Sequence, residues 1–207
     1  GGSLLGVLAI AAYALVYAWI ARHAGWPSAI AGATVTFLAV GLAAQPLLGL
    51  AGAALLVVVV LGVFLAASAL PRLPDGGPPA VAPAWEIPGR VVAGTLVVLA
   101  LTGVAEALGP GLSGVIAIFP VFATILTVFT HRRDGAAEGV AVLRGLLAGL
   151  YGTAAFFAIL EVALVPLGVG AGFIAALAGC AGIQAVALAL LRGRARQPAA
   201  SASMAAR

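Results

Sequence analysis

Residues 28–70 read SAIAGATVTFLAVGLAAQPLLGLAGAALLVVVVLGVFLAASAL, forty-three positions without a charged side chain, with only Gln45-Pro46 to mark a turn. One helix of that length would extend about 65 Å, roughly twice the ~30 Å hydrocarbon core of a bilayer. The stretch therefore reads as two crossings, 28–44 and 47–70, joined at Gln45-Pro46. Working outward, further apolar runs occupy 4–21, 91–108, 112–130, 145–166 and 169–191. Each is long enough to span. The fold class expected is an all-α integral membrane protein of about seven transmembrane helices.

Composition agrees. Hydrophobic residues make up 64% of the chain and charged residues 8%, against about 25% charged in ordinary soluble domains, and the mean hydropathy is +1.23. So few charges cannot cover a water-facing surface. The net charge of +4 comes from ten arginines, with no lysine anywhere. They lie in short loops between apolar runs and form no patch interleaved with aromatics, which argues against nucleic acid as a partner. The partners expected are the lipid bilayer and a small solute or ion.

The arginines also set an orientation. Arg22 follows the first run; Arg72 and Arg90 flank the loop after the third; Arg132, Arg133 and Arg144 bracket the loop after the fifth; Arg192, Arg194, Arg196 and Arg207 form the tail. With seven crossings all ten fall on one side, and the opposite turns, at Gln45-Pro46, 109–111 and Leu167-Gly168, carry no charge. Cytoplasmic loops retain arginine and lysine, so the N-terminus is expected outside and the C-terminus in the cytoplasm of a bacterial inner membrane. The domain reading is a three-helix bundle over 1–70, a Pro/Gly-rich cytoplasmic linker over 71–90, a four-helix bundle over 91–191 and a basic, disordered tail over 192–207. Trp85 in the linker suits an interfacial anchor. The run 4–21 has no basic segment before it, as a signal peptide would. Because the sequence opens at Gly1 without a methionine, residues are expected upstream.

Residues 2–15 (GSLLGVLAIAAYAL) align with 144–157 (RGLLAGLYGTAAFF), and a glycine-bearing turn and a small-residue helix follow each. With the orientation above, the two copies would run in opposite directions across the membrane. Inverted repeats of this kind build alternating conformations in many secondary transporters. The fourth and fifth segments would then find their counterparts upstream of Gly1.

Residues 108–133, LGPGLSGVIAIFPVFATILTVFTHRR, resemble a family of uncharacterised bacterial polytopic integral membrane proteins; with the helix that follows, the likeness covers about a quarter of the chain. It implies a bacterial inner-membrane protein and brings no activity, cofactor or site residue with it.

Function has to be read from the residues. Phosphate-binding Gly-rich loops, His-Glu-x-x-His, Cys-x-x-Cys and Gly-x-Ser-x-Gly are absent, so no catalytic, metal or cofactor site is expected. Cys180 reads as a small packing residue, and His23 and His131 as interfacial side chains beside arginine. Two acids lie within apolar runs, where charge is costly and such residues face a bundle interior or a water-filled cavity. Glu106 lies near an outer end; Glu161 is deeper and reads as a proton- or cation-coupling acid. Gly145, Gly149, Thr153, Phe157 and Glu161 recur every four residues, as do Gly168, Gly172, Ala176, Cys180 and Gln184. Small residues at that spacing permit close helix contact. Gln184, Thr153 and Tyr151 are expected near Glu161. In the fifth run Pro120 is expected to break the helix and free the carbonyl of Ile116, with Thr124, Thr127 and Thr130 supplying hydroxyls. The coupling-site set is therefore Glu161, Gln184, Thr153, Tyr151, Pro120, Thr124 and Glu106.

The leading functional expectation is a small secondary transporter of unidentified solute. The alternatives are a non-catalytic membrane subunit or assembly factor, and a membrane enzyme acting on a lipid-linked substrate. A polar cavity near the midplane distinguishes the first, a dry bundle the second, and a groove at headgroup level lined by arginines and His131 the third.

Overall fold

The structure, a computed structural model, describes residues 2–74, 83–108 and 116–205, with 104–108 and 190–205 as backbone only. Every regular element among them is helical: α1 Gly2–Ala21, α2 Trp26–Ala43, a 3-10 turn Gln45–Gly49, α3 Gly52–Ser68, α4 Glu86–Leu108, α5 Val121–Asp134 and α6 Ala136–Ala205. Four stretches, Gly2–Ala21, Trp26–Gly49, Glu86–Gly103 and Ala136–Ala189, are long and apolar enough to cross a membrane. The turn at 109–111, most of the Pro/Gly-rich linker and the side chain of Glu106 lie outside the described residues.

Several boundaries differ from the sequence reading, and proline accounts for most of them. Pro46 opens a 3-10 turn that runs to Gly49, and Leu50 and Ala51 are extended, so α3 starts at Gly52 rather than at 47. Pro88 falls in the first turn of α4, where its missing N–H has no intrahelical partner to lose, and the helix begins at Glu86 instead of 91. Pro120 is the residue that starts α5 and does not kink it. The carbonyl of Ile116, expected to be free, accepts the Phe119 N–H at 3.0 Å, while the Pro120 carbonyl accepts the Thr124 N–H at 2.9 Å. The tail expected to be disordered continues α6 to Ala205; its alanines are the strongest helix formers.

The chain divides into two units, Gly1–Leu150 and Tyr151–Arg207. The division falls within α6 and not at the Pro/Gly-rich stretch.

In the first unit α1 is the central element. Leu4, Val7, Ala11, Tyr13, Ala14, Tyr17 and Ala18 are each at most 1% exposed, and α2 and α3 pack against the helix. Glycines set the approach: Gly32 of α2 meets Ile20, Gly62 of α3 meets Leu8, and Gly6 of α1 meets Ile118. A Cβ at any of them would overlap those side chains, which is how small residues let helices close up without a hydrophobic drive. The non-helical segment before α5 inserts Phe119 edge-on between Tyr13 and Phe37, with ring centroids 5.9 and 5.3 Å away.

Contacts also gather the arginine-bearing helix ends of this unit. Trp19 donates its indole N–H to the Ala69 carbonyl at 3.0 Å, and Arg22 stacks on the Trp19 ring. Arg144 reaches the Pro71 carbonyl at 3.3 Å. Between α5 and α6, Gly135 adopts φ 96°, a backbone that L side chains rarely take. Outward faces are apolar: Phe64 is 59% exposed, Leu96 62% and Phe122 81%. Contiguous exposed apolar surface of this extent marks an interaction with lipid or protein.

The second unit is a helical hairpin. Gly168, at φ 73° and ψ 173°, breaks α6, and the second arm returns antiparallel to the first. Gly172 meets the backbone of Ala163 and Leu164, Gly179 meets Ile159, and Gln184 lies against Gly152. The stripe through Gly172, Ala176 and Gln184 is thus the packing face of the second arm. Replacing Gly168 with alanine forces an L residue into a positive-φ, extended-ψ backbone that is essentially reserved for glycine, at about 1–3 kcal/mol. Gly168→Ala is expected to lower the melting temperature of the purified protein, whereas Gly170→Ala, where a Cβ meets nothing within 4 Å, leaves it unchanged or raises it; differential scanning fluorimetry reads both.

Candidate functional site

The polarity of α5 is inside out. Along VFATILTVFTHRRD, Thr124, Thr127 and Thr130 are buried while Phe122 faces outward. Spacings of three and four place Thr124, Thr127 and His131 on one helix face. That face meets α1, which supplies Tyr13 and Tyr17, four residues apart and both 0% exposed.

Two hydrogen bonds join the faces. Thr124 donates its hydroxyl to the Tyr13 hydroxyl oxygen at 2.9 Å, and the Tyr17 hydroxyl pairs with His131 Nδ1 at 3.1 Å. The Tyr13 and Tyr17 rings are tilted against each other with centroids 6.3 Å apart, and Tyr17 meets the His131 ring edge-to-face at 5.9 Å. Thr127 lies between the two bonds. Its hydroxyl is fully buried and has no hydrogen-bond partner among the described residues. Threonine in a helix usually bonds back to its own backbone, as Thr36 and Thr102 do here; Thr124 instead reaches across to α1. The result is a polar seam about 10 Å long, the rise of seven helical residues from Thr124 to His131.

The seam ends in a charge cluster. Arg133 donates to both Glu86 oxygens, at 2.9 and 2.7 Å, and to Asp134 at 2.6–2.9 Å. Arg90 pairs with Glu86 one turn along α4 and sits over the Phe129 ring. The Glu86 and Asp134 side chains are only 5% and 4% exposed. Arg133 and Asp134 therefore form a largely buried bridge, because Glu86 arrives from α4 to cover it. Arg132, next in sequence, is exposed. A recess of about 210 Å³ opens among Trp85, Glu86, Phe129, Arg132 and Arg133.

Of the residues singled out from the sequence, Thr124 belongs to the seam and Pro120 positions it by starting α5. In the second unit, Tyr151, Thr153 and Gln184 lie at the level of Gly152, where the arms touch. Glu161 is exposed and sits about 13 Å farther along the same arm, nine residues toward the Gly168 turn. Helix rise puts Glu161 well away from the level of Gly152 where Gln184, Thr153 and Tyr151 lie, and none of Thr153, Glu161 and Gln184 is without an interaction. Among the described residues no three His, Cys, Asp or Glu side chains come together to hold a metal. Sequence reading passed over Tyr13, Tyr17 and Glu86, and it took His131 for an interfacial side chain. The signal for the tyrosines was available: two hydroxyls four apart in an otherwise apolar helix lie on one face.

No protein-family model matches the chain, and no curated protein and no solved structure is significantly similar to it.

Two outcomes follow from the seam. Thr124→Val removes a satisfied buried hydrogen bond and strands the Tyr13 hydroxyl, so it is expected to destabilise by about 1–3 kcal/mol. Thr127→Val removes an unsatisfied hydroxyl of the same shape and is expected to be neutral or stabilising; chemical denaturation of the two variants in one detergent gives the comparison. For His131, which follows the last threonine of the apolar run, burial pushes the imidazole pKa below its ordinary value. The unfolded chain therefore takes up a proton at His131 near its ordinary pKa of about 6.5, before the folded protein does, and stability falls as pH drops through that value. A melting temperature followed from pH 7.5 to pH 5.5 is expected to decline, and His131→Gln to flatten the decline over that window.

Proposed function

We propose that this protein is a small secondary transporter of the bacterial inner membrane, proton-coupled, with its proton route along the α1–α5 seam. The observation that carries the reading is a line of buried hydroxyls and an imidazole, with one hydroxyl unpartnered among the described residues, inside a helix bundle coated with apolar side chains. Polar groups held at depth in such a bundle are expensive and mark ion or substrate paths. Tyrosine and threonine hydroxyls both donate and accept, and an imidazole can take up and release a proton, so the seam has the chemistry of a relay.

The topology proposed with it has seven crossings and a cytoplasmic C-terminus. The gathering of Arg22, Arg90, Arg133 and Arg144 at contacting helix ends of the first unit supports it. An inverted repeat relating α1–α2 to the two arms of α6 draws support from one likeness: each is a helix, a glycine-bearing turn and a returning helix that accepts a large aliphatic side chain of the first onto a glycine, Ile20 on Gly32 and Ile159 on Gly179. The solute is small and its identity open.

Two groups compete for the coupling role, His131 at the end of the seam and Glu161 on the first arm of α6. The seam favours His131. Reconstitution into liposomes with a solute panel and an imposed pH gradient tests function and role together. Uptake is expected to rise with the gradient, to lose its pH dependence in His131→Gln and to keep it in Glu161→Gln. The opposite pattern moves the coupling role to Glu161. Absence of gradient-driven flux for any solute, with the protein folded in the liposomes, overturns the transporter reading and leaves the non-catalytic subunit. The recess at Arg132 and Arg133 is the feature an enzyme acting on lipid-linked substrates would use, yet Glu86 there is committed to two arginines and, among the described residues, no nucleophile lines the recess.

A further inference from the structure

Beside the seam, α4 and α5 diverge and leave a groove of about 470 Å³. Its lining beyond Arg90 is Val91, Gly94, Thr95 and Val98 on α4 and Val121, Phe122, Ile125 and Leu126 on α5, with Thr95 the one polar side chain among them. These are aliphatic or aromatic carbons along nearly the whole length. From Arg90 to Val98 the groove follows eight residues, about 12 Å of helix rise, which is most of the depth of one leaflet of a ~30 Å hydrocarbon core. At one end stands Arg90, whose Nη2 is bonded to Glu86 while its Nε is buried and has no hydrogen-bond partner among the described residues. Through Glu86 and Phe129 that end adjoins the recess bordered by Arg132 and Arg133. Trp85, 57% exposed, stands at the same place, as aromatic side chains do at the level of lipid headgroups.

We propose that the α4–α5 groove and the recess together form a binding site for one anionic phospholipid, with an acyl chain along Gly94 and Val98 and the phosphate at Arg90 and Arg132. Charge decides the class of occupant. Arg90, Arg132 and Arg133 supply three positive charges against two from Glu86 and Asp134, and the surplus sits on exposed Arg132, for which no ion pair is found among the described residues. An apolar trough headed by uncompensated arginine complements a diacyl lipid whose headgroup carries net negative charge. A zwitterionic lipid brings no net charge to balance it. The proposal rests on the membrane reading of the chain and is independent of transport.

Native mass spectrometry of the full-length protein in mild detergent tests it with phosphatidylglycerol and phosphatidylcholine as probes. One phosphatidylglycerol per chain is expected to be retained, with a preference of about fivefold over phosphatidylcholine, the equivalent of about 1 kcal/mol for one surplus arginine. Arg132→Gln removes the surplus charge from an exposed position and is expected to abolish the preference while the fold persists. Gly94→Leu is expected to abolish retention of both lipids, since a Cβ there meets no atom within 4 Å and the added side chain fills the groove. Melting temperature of the same samples identifies variants that have lost structure; if Gly94→Leu does so, Val98→Trp takes its place as the groove-filling variant. Equal retention of the two lipids by the unaltered protein, or unchanged retention when the groove is filled, overturns the proposal. Stabilisation by inorganic phosphate equal to that by phosphatidylglycerol also overturns it, in favour of a free-anion site. Lipid selectivity with no solute flux would reject the transport reading and leave this site standing.

Discussion

The contact between the tyrosine face of α1 and the threonine face of α5 is the constraint around which the first unit is arranged. Tyr13 and Tyr17 are the largest fully buried side chains of the unit, and each carries a hydroxyl that burial would penalise by a few kcal/mol without a partner. α5 provides partners at the matching levels, Thr124 for one and His131 for the other. Because Pro120 fixes where α5 begins, it also fixes which residues of α5 arrive at those levels. A helix begun one residue earlier or later would turn the threonines by about 100° away from α1.

That arrangement makes α5 polar on its packed face and apolar on its outer face. In water such a helix would be everted; in a bilayer it is the pattern expected, since lipid tails accept Phe122 and reject a hydroxyl. The same logic brings Glu86 to Arg133. An arginine held next to one carboxylate at a helix end needs little more if it is in water, but at 25% side-chain exposure its remaining donors require acceptors, and Glu86 supplies both oxygens. A cluster of this kind is weak evidence of stability and better evidence that the α4 and α5 ends are fixed relative to each other.

The two units are built differently. The first is held by aromatic and hydroxyl contacts between helices far apart in sequence, Tyr13 with Thr124 and Glu86 with Arg133. The second is a local hairpin held by glycine and alanine at four-residue spacing and by Phe156 against Phe173, with ring centroids 5.3 Å apart. Polar candidates in the second unit were chosen for their spacing along the helix, and spacing places them on a face without placing them at one depth. Glu161 and Gln184 share the hairpin and are still about nine residues out of level.

What the sequence by itself determined is the class of element. Uncharged runs of bilayer length can only be helices that keep their own backbone hydrogen bonds, and the positions of α1, α2 and the Gly168 break follow from run length, Gln45-Pro46 and glycine. The four-residue stripe of the second arm was legible too, because small residues at that period have few other uses. Helix ends were less so: Pro88 and Pro120 were read as interruptions, whereas a proline in the first turn or just before it starts a helix as well as it breaks one, and only the surrounding chain decides which. Partner choice was not legible at all. Tyr13, Tyr17, His131 and Glu86 each look unremarkable in their own segments, as an aromatic, an interfacial base or a linker acid. Their roles come from contacts across 111, 114 and 47 residues of sequence, and no local periodicity encodes which face of one helix meets which face of another. The tertiary structure decided that, because a buried hydroxyl or charge is tolerated only where a partner from a distant segment meets it.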